Sequence, residues 1–92
     1  MTYLKVNWIH SNSMYPVVLY SELDDHRWET RKIEVFCDGR KGYASVEEVS
    51  GTTRLGETPI PSLSEIASAP EFEPSVISRD NFETVWAQRR QH

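Results

Sequence analysis

Polar and apolar residues alternate with a period of two near the start of the chain. Leu4, Val6 and Trp8 fall on one side of the segment from Tyr3 to His10, and polar or small residues separate them. This alternation is typical of an antiparallel strand with one buried face. Further strands are predicted by β-forming residues and continued alternation, namely Pro16 to Leu23, Trp28 to Asp38, and Arg40 to Val46.

The dipeptide Asp38-Gly39 predicts a tight turn between the third and fourth strands. A type I′ turn requires positive φ at both central residues, and Asp-Gly adopts that conformation readily. A short fifth strand is expected from Thr52 to Leu55, directly after Gly51. The sheet should therefore contain four or five strands that follow one another as a meander.

Prolines change the character of the chain after Gly56. They are Pro59, Pro61, Pro70 and Pro74. Each proline lacks a backbone donor and restricts the residue before it, so we expect neither a strand nor a long helix in this region. Ser62 and Glu65 have the spacing of a capping box and predict a two-turn helix that ends before Pro70.

A second helix is predicted after Ser78, which has the side chain of an N-cap. Phe82, Val85, Trp86 and Arg89 recur at the spacing of one helix face. That face must pack against the sheet, since so few apolar residues cannot bury a helix alone. The sequence therefore predicts one α+β domain over residues 1–92. In it, an antiparallel four- or five-stranded meander sheet is followed by two helices packed on one face.

The composition agrees with a single globular domain and excludes several other classes. Of the 92 residues, 38% are hydrophobic and 26% are charged, and the net charge is −4. The longest apolar run, Tyr15 to Tyr20, is too short to span a bilayer, and the N-terminus lacks the regions of a secretory signal. Neither a phosphate-binding glycine loop nor zinc-ligand spacing is present. We therefore expect a cytoplasmic protein without a cofactor or membrane contact.

The densest group of polar side chains follows the second predicted strand. It comprises Glu22, Asp24, Asp25, His26 and Glu29. Carboxylates and an imidazole can bind a divalent cation, but this group lacks the glycine and the spacing of a calcium loop. Adjacent aspartates in such a loop usually cap a turn or remain solvated, so we expect no metal site here.

Cys37 is the single cysteine and the first candidate for a nucleophile. Covalent catalysis would require a base such as His10 or His26 beside it. Cys37 falls on the apolar side of the third predicted strand, where a lone cysteine is usually a small buried hydrophobic residue. We therefore predict that the protein is not an enzyme.

Charge is distributed unevenly along the chain. Residues 1–46 carry six positive and six negative groups, whereas residues 47–92 carry four positive and eight negative groups. Carboxylates outside the core attract a basic protein partner and repel phosphate, although solubility alone is the other interpretation. One basic cluster is expected at the tip of the hairpin, formed by Arg31, Lys32, Arg40 and Lys41. Direct nucleic-acid binding is still not expected, because the overall charge has the wrong sign.

Several segments resemble a family of small bacterial proteins known only as a domain of unknown function. They are Y-L-K-V-x-W-x-H from Tyr3 to His10, P-V-V-L-Y-S-E-L-D from Pro16 to Asp24, R-K-I-E-V-F-x-D-G-R-x-G-Y-A from Arg31 to Ala44, and L-G-E-x-P-I-P-S-L-x-E-I-A from Leu55 to Ala67. The resemblance covers nearly the whole chain and implies a free-standing protein. It identifies no functional residue, but the association of some relatives with bacterial toxins implies an immunity role.

Aromatic residues beside polar loops favour a protein interface. Two helices can cover only one face of the sheet, so the other face is expected to be polar, partly aromatic or covered by a partner. The predicted contact surface comprises Tyr20, Glu22, Asp24, Asp25, Trp28, Glu47 and Glu48. The leading hypothesis is a non-enzymatic immunity protein that occludes the active site of a cognate bacterial toxin. The alternatives are an accessory or phage inhibitor that presents an acidic surface to a nucleic-acid-handling complex, and a small enzyme of unknown chemistry.

Overall fold

The structure, a computed structural model, describes residues 1–90. Its elements in chain order are β1 (Thr2–Trp8), β2 (Val18–Leu23), β3 (Glu29–Val35), β4 (Lys41–Ser45), α1 (Leu63–Ala67), β5 (Phe72–Ile77) and α2 (Arg79–Ala87). The strands form one antiparallel sheet in the order β4-β3-β2-β1-β5. The predicted α+β class, with an antiparallel sheet and two helices, is confirmed. Neither helix is long and apolar enough to cross a membrane.

Strands β1 to β4 form the predicted meander, in which each strand pairs with the next. The register defines two faces of the sheet. Tyr3, Tyr20 and Ile33 belong to the face that we call the front, and Leu4 and Ser21 belong to the back face.

The fifth strand lies where the sequence predicted none. The segment from Thr52 to Leu55 forms no strand, and β5 instead contains Pro74. The backbone N–H of Ile9 donates to the carbonyl of Glu71. In an antiparallel pair every second residue exchanges hydrogen bonds with the partner strand, so Glu73, Ser75 and Ile77 are the residues of β5 whose backbone faces β1. Pro74 occupies one of the other positions, where the N–H points away from the sheet. A proline is tolerated there because β5 is an edge strand, and its missing donor also discourages pairing with another chain.

The hairpin between β3 and β4 is confirmed, but its turn is not type I′. Gly39 has φ of 90°, whereas Asp38 is not among the residues with positive φ. The N–H of Gly39 donates to the carbonyl of Phe36, and the N–H of Phe36 donates to the carbonyl of Arg40. The loop therefore has three residues, with glycine at the left-handed position that a longer hairpin loop requires.

Helix α2 covers the front face. Phe82 is fully buried against Tyr3 and Ile33, and Trp86 packs at the margin of this cluster. Ser78 caps the helix as predicted, since its Oγ accepts a hydrogen bond of 3.0 Å from the N–H of Asn81.

The back face is covered in part by the chain between β4 and α1, which the sequence did not predict. Thr53 is buried against Gly42, where any larger side chain would collide with it, and its Oγ1 donates to Glu34 (2.6 Å). Helix α1 borders this face, because Ile66 lies beside Leu4 in a groove there. The two helices therefore lie on different faces rather than on one, and the back face is covered only in part.

Candidate functional site

Glu22 and Arg31 are neighbours across β2 and β3. Arg31 donates from Nε to Oε1 (2.9 Å) and from Nη2 to Oε2 (2.6 Å), and Thr30 Oγ1 donates to Oε1 (2.7 Å). The bonds from Arg31, followed by that from Thr30, lower the pKa of Glu22 to about 2, although burial opposes the shift. The same guanidinium binds Glu83 of α2 (2.8 Å). Arg31 of β3 therefore links Glu22 of β2 to Glu83 of α2.

Glu48 forms a similar internal pair near the end of β4. Its carboxylate accepts hydrogen bonds from Arg89 Nη2 (2.6 Å) and Arg90 Nη2 (2.7 Å). Arg89 is the main reason that the pKa of Glu48 lies below its ordinary value. The Arg89 guanidinium also lies over the Trp86 ring, 4.3 Å from its centre. These groups and the Glu22 pair line a cleft of about 450 Å³ on the front face.

The turn between β2 and β3 carries three of the predicted contact residues. Asp24 Oδ1 accepts hydrogen bonds from the backbone N–H groups of His26 (2.9 Å) and Trp28 (3.0 Å). Asp24 therefore stabilises the turn, which is the structural role that adjacent aspartates usually have. Asp25 is exposed, and 41% of the surface of Trp28 remains accessible.

Loops 24–28 and 46–49 lie at the same end of the sheet, because β2 and β4 end there, and β5 leads into α2 at that end. We call these two loops, together with the first turn of α2, the acidic end. The exposed carboxylates of Asp25, Glu47 and Asp80 form no ion pair within residues 1–90. Val46, which precedes Glu47 in the second loop, is 85% exposed. This end of the molecule therefore combines unpaired negative charge with accessible apolar surface.

The structure separates the predicted contact residues into three groups. Asp24, Asp25, Trp28 and Glu47 lie at the acidic end. Glu22 and Glu48 lie in the front cleft, each bound to arginine, and Glu47 of the acidic end also lines this cleft. Tyr20 is half-buried in the middle of the front face. Asp80, which lies in the first turn of the helix capped by Ser78, was expected to contribute to an acidic surface but was not among the predicted contact residues.

Comparison of the sequence with models of known protein families gives one match. The model of a family described as a domain of unknown function, DUF6881, matches residues 2–91. The chain belongs to the DUF6881 family. The resemblance seen in the sequence motifs is thereby confirmed over almost the whole chain. No curated protein and no solved structure matches this DUF6881 domain.

The possible metal ligands of the DUF6881 domain do not converge. Glu22 bonds to Arg31 on the front face, whereas Glu29 lies on the back face, where its Oε2 accepts a hydrogen bond from Ser21 Oγ (2.8 Å). Among residues 1–90, no group of three or more histidine, cysteine, aspartate or glutamate side chains is placed to hold a metal ion.

The candidates for nucleophilic catalysis are also placed differently from the sequence prediction. Cys37 is exposed in the turn after β3, so its predicted burial on the apolar side of a strand is wrong. His10 uses both ring nitrogens locally, since Nδ1 accepts from the N–H of Asn12 (3.0 Å) and Nε2 bonds to the carbonyl of Pro16 (2.8 Å). His26 is exposed in the β2–β3 turn.

The predicted basic tip does not form in the DUF6881 domain. Arg31 pairs with Ser45 in the sheet register, at the opposite end of the hairpin from Gly39. Arg40 lies at the turn and bonds to Asp38 (2.9 Å). The strand length therefore separates these cations, and carboxylates neutralise both of them.

Proposed function

We propose that this chain is a non-enzymatic protein-binding domain that docks on a basic protein partner through its acidic end. The observation that carries the proposal is the set of exposed carboxylates there, Asp25, Glu47 and Asp80, which have no ion pair within residues 1–90. Trp28 and Val46 add accessible apolar surface beside them. An aromatic or apolar centre with charged residues around it is the usual composition of a protein interface.

The specific role that we propose is that of an immunity protein in the bacterial cytoplasm, which neutralises a cognate toxin by covering its active site. An enzyme that cleaves nucleic acid binds phosphates through cationic side chains. Unpaired carboxylates are complementary to such a site and accelerate the encounter at low ionic strength. The family model gives no function, so this role rests on the charge of the acidic end and on the sequence resemblance.

The structure changes how the contact surface should be tested. Glu22 and Glu48 already bind arginines, and Asp24 holds its own turn, so a change at any of these positions would disturb the fold as well as a partner. Asp25 and Glu47 are exposed and make no such bonds among the described residues. They are therefore the better probes.

Reversing charge with Asp25→Lys and Glu47→Lys together should slow partner association about tenfold at low salt, with little change in dissociation, because exposed charges mainly affect encounter. The partner is first captured from the native cells and purified, and its kinetics are then measured by surface plasmon resonance at low and high salt. The matched control is Glu71→Lys with Glu73→Lys, two exposed carboxylates at the start of β5, at the opposite end of the sheet. This control should associate like the wild type.

The immunity role has a separate test in cells. A toxin-domain protein encoded beside this gene should arrest growth alone, and coexpression of the wild-type chain should restore growth. The double charge reversal should lose this protection and the control variant should keep it. An acidic partner, or equal binding by both double variants, would reject the acidic end as the contact surface.

A further inference from the structure

A groove of about 460 Å³ crosses the back face of the sheet, on the opposite side from α2. Its floor includes Val6 and Leu19, which pair across the central strands β1 and β2 but remain only half-buried. Ile60 and Ile66, which precede and belong to α1, add further apolar surface. This volume and lining are those of a small-molecule site.

One part of the groove is polar, and its groups are organised around Glu29. The side chain of Glu29 is only 3% exposed. Its Oε2 accepts from Ser21 Oγ (2.8 Å), and its Oε1 accepts from the N–H of Gly56 (2.7 Å). Lys32 Nζ lies 3.8 Å from Oε1 and donates to the carbonyl of Arg54 (3.3 Å). This part of the groove therefore pairs a buried carboxylate with an ammonium group of opposite charge. A second carboxylate that lines the groove, Glu65, is exposed on α1 and accepts a hydrogen bond from Ser62 Oγ (3.2 Å).

This pair favours a neutral ligand that can both donate and accept a hydrogen bond. A negatively charged group would be repelled by Glu29, and a positively charged group would be repelled by Lys32. A hydroxyl group avoids both penalties, since it can donate to the carboxylate and accept from the ammonium. We propose that the groove binds a small phenol, with its ring and alkyl substituent on Val6 and Leu19 and its hydroxyl between Glu29 and Lys32.

Arg27 supports this assignment as a positioning residue for the groove. Its φ of 66° belongs to the left-handed position of the three-residue loop between Asp24 and Trp28, the position that Gly39 takes in the other hairpin. The guanidinium donates to the carbonyls of Ile60 (2.8 Å) and Pro61 (2.7 Å), while the N–H of Ile60 donates back to the carbonyl of Arg27 (2.8 Å). Ile60 and Pro61 both line the groove. Arg27 therefore fixes the position of this part of the lining.

The direct test is a titration of the whole chain with para-propylphenol, followed by proton–nitrogen NMR. The amide signals of the groove residues should shift and saturate. Binding of propylbenzene and of para-propylbenzoate should be about tenfold weaker, because the first lacks the hydroxyl and the second carries a negative charge. Unsaturable shifts, or equal binding of all three compounds, would overturn the assignment.

Two matched variants at positions outside the strands test whether the ligand binds in the groove. Ala69 lines the groove just after α1, whereas Ala67 is exposed and is not among the lining residues. Ala69→Trp should fill the groove and abolish saturable binding, while Ala67→Trp should bind like the wild type. Thermal unfolding of both variants checks that they are folded. Equal binding by the two tryptophan variants would place the phenol elsewhere and reject the proposal.

The position proposed for the phenol hydroxyl is tested by Lys32→Met, which keeps the apolar part of the side chain and removes its charge. Glu29 then remains alone, so para-propylbenzylamine, a cation, should replace para-propylphenol as the tighter ligand. A merely structural role of Lys32 would weaken both ligands equally and would contradict the proposed contact. This test does not depend on the acidic end, so its outcome is separate from that of the proposed function.

Discussion

Replacing Phe82 with alanine should lower the free energy of unfolding by about 3–5 kcal/mol. Phe82 is fully buried under α2, and its ring centre lies 5.2 Å from that of Tyr3. The change removes apolar contacts and leaves a cavity between the helix and the sheet. Because a domain of this size is stabilised by only about 5–15 kcal/mol, the melting temperature should fall by roughly 15 °C or more. Urea unfolding monitored by tryptophan fluorescence measures the effect.

The control for this variant is Val76→Ala on β5. Val76 is 58% exposed, so its truncation should change the free energy of unfolding by no more than about 0.5 kcal/mol. A loss below about 1 kcal/mol for Phe82→Ala would contradict the view that α2 is fastened to the sheet by this side chain.

The elements with a strong local signal were predictable from sequence. Alternation of polar and apolar residues located β1 to β4, and a serine before an amphipathic segment located the start of α2 at Ser78. The position of β5 was not predictable in this way. Whether Pro74 removes a needed donor depends on which of its neighbours face β1, and only the register of the assembled sheet decides that.

In the candidate site too, features formed by neighbouring residues were predictable, and contacts between residues far apart in the sequence were not. The acidic turn at Asp24 and Asp25 could be read from adjacent residues. The internal pairing of Glu48 could not, because its arginine partner Arg89 is 41 residues away. A count of the charged residues therefore overestimated how many carboxylates of the predicted contact surface are unpaired, because Glu22 and Glu48 bind arginines. It also did not reveal that Thr53 and its neighbours cover part of the back face.

The acidic end and the groove share the loop that contains Arg27, but the residues changed in the two sets of tests are different. The unpaired carboxylate of Asp25 lies in the turn after β2, whereas Ala69 borders the groove after α1. The variants that test one surface should therefore leave the other unchanged. Phenol binding should survive Asp25→Lys with Glu47→Lys, and partner binding should survive Ala69→Trp.

Replacing Arg31 with methionine should destabilise the fold by about 3 kcal/mol at neutral pH, because it leaves a buried charge without its partner. Glu22 is only 7% exposed and depends on Arg31 for two of its hydrogen bonds. Methionine keeps apolar contact with the Phe82 and Trp86 rings, which the guanidinium now covers at 4.9 and 5.1 Å. Urea unfolding again gives the measurement.

The pH dependence of stability separates loss of charge pairing from loss of packing. In the wild type the pKa of Glu22 is lowered from 4.5 to about 2, so its contribution is complete above pH 4.5 and is lost as the pH falls towards 2. Glu83 and Glu48 contribute with the same sign, since arginines lower the pKa of each. In Arg31→Met, Glu22 loses the largest cause of its lowered pKa, so the loss of stability on acidification should become smaller than in the wild type.

The double variant Arg31→Met with Glu22→Leu identifies the cause of the destabilisation. It removes both charges and should recover most of the stability that Arg31→Met loses, because an apolar pair can replace a buried ion pair. Glu83→Gln is the control, since its half-exposed carboxylate should contribute at most about 1 kcal/mol. If the double variant is as unstable as Arg31→Met and shows the same pH dependence, the unpaired charge of Glu22 is not the cause. Arg31 would then stabilise the fold mainly through its contact with the rings of α2.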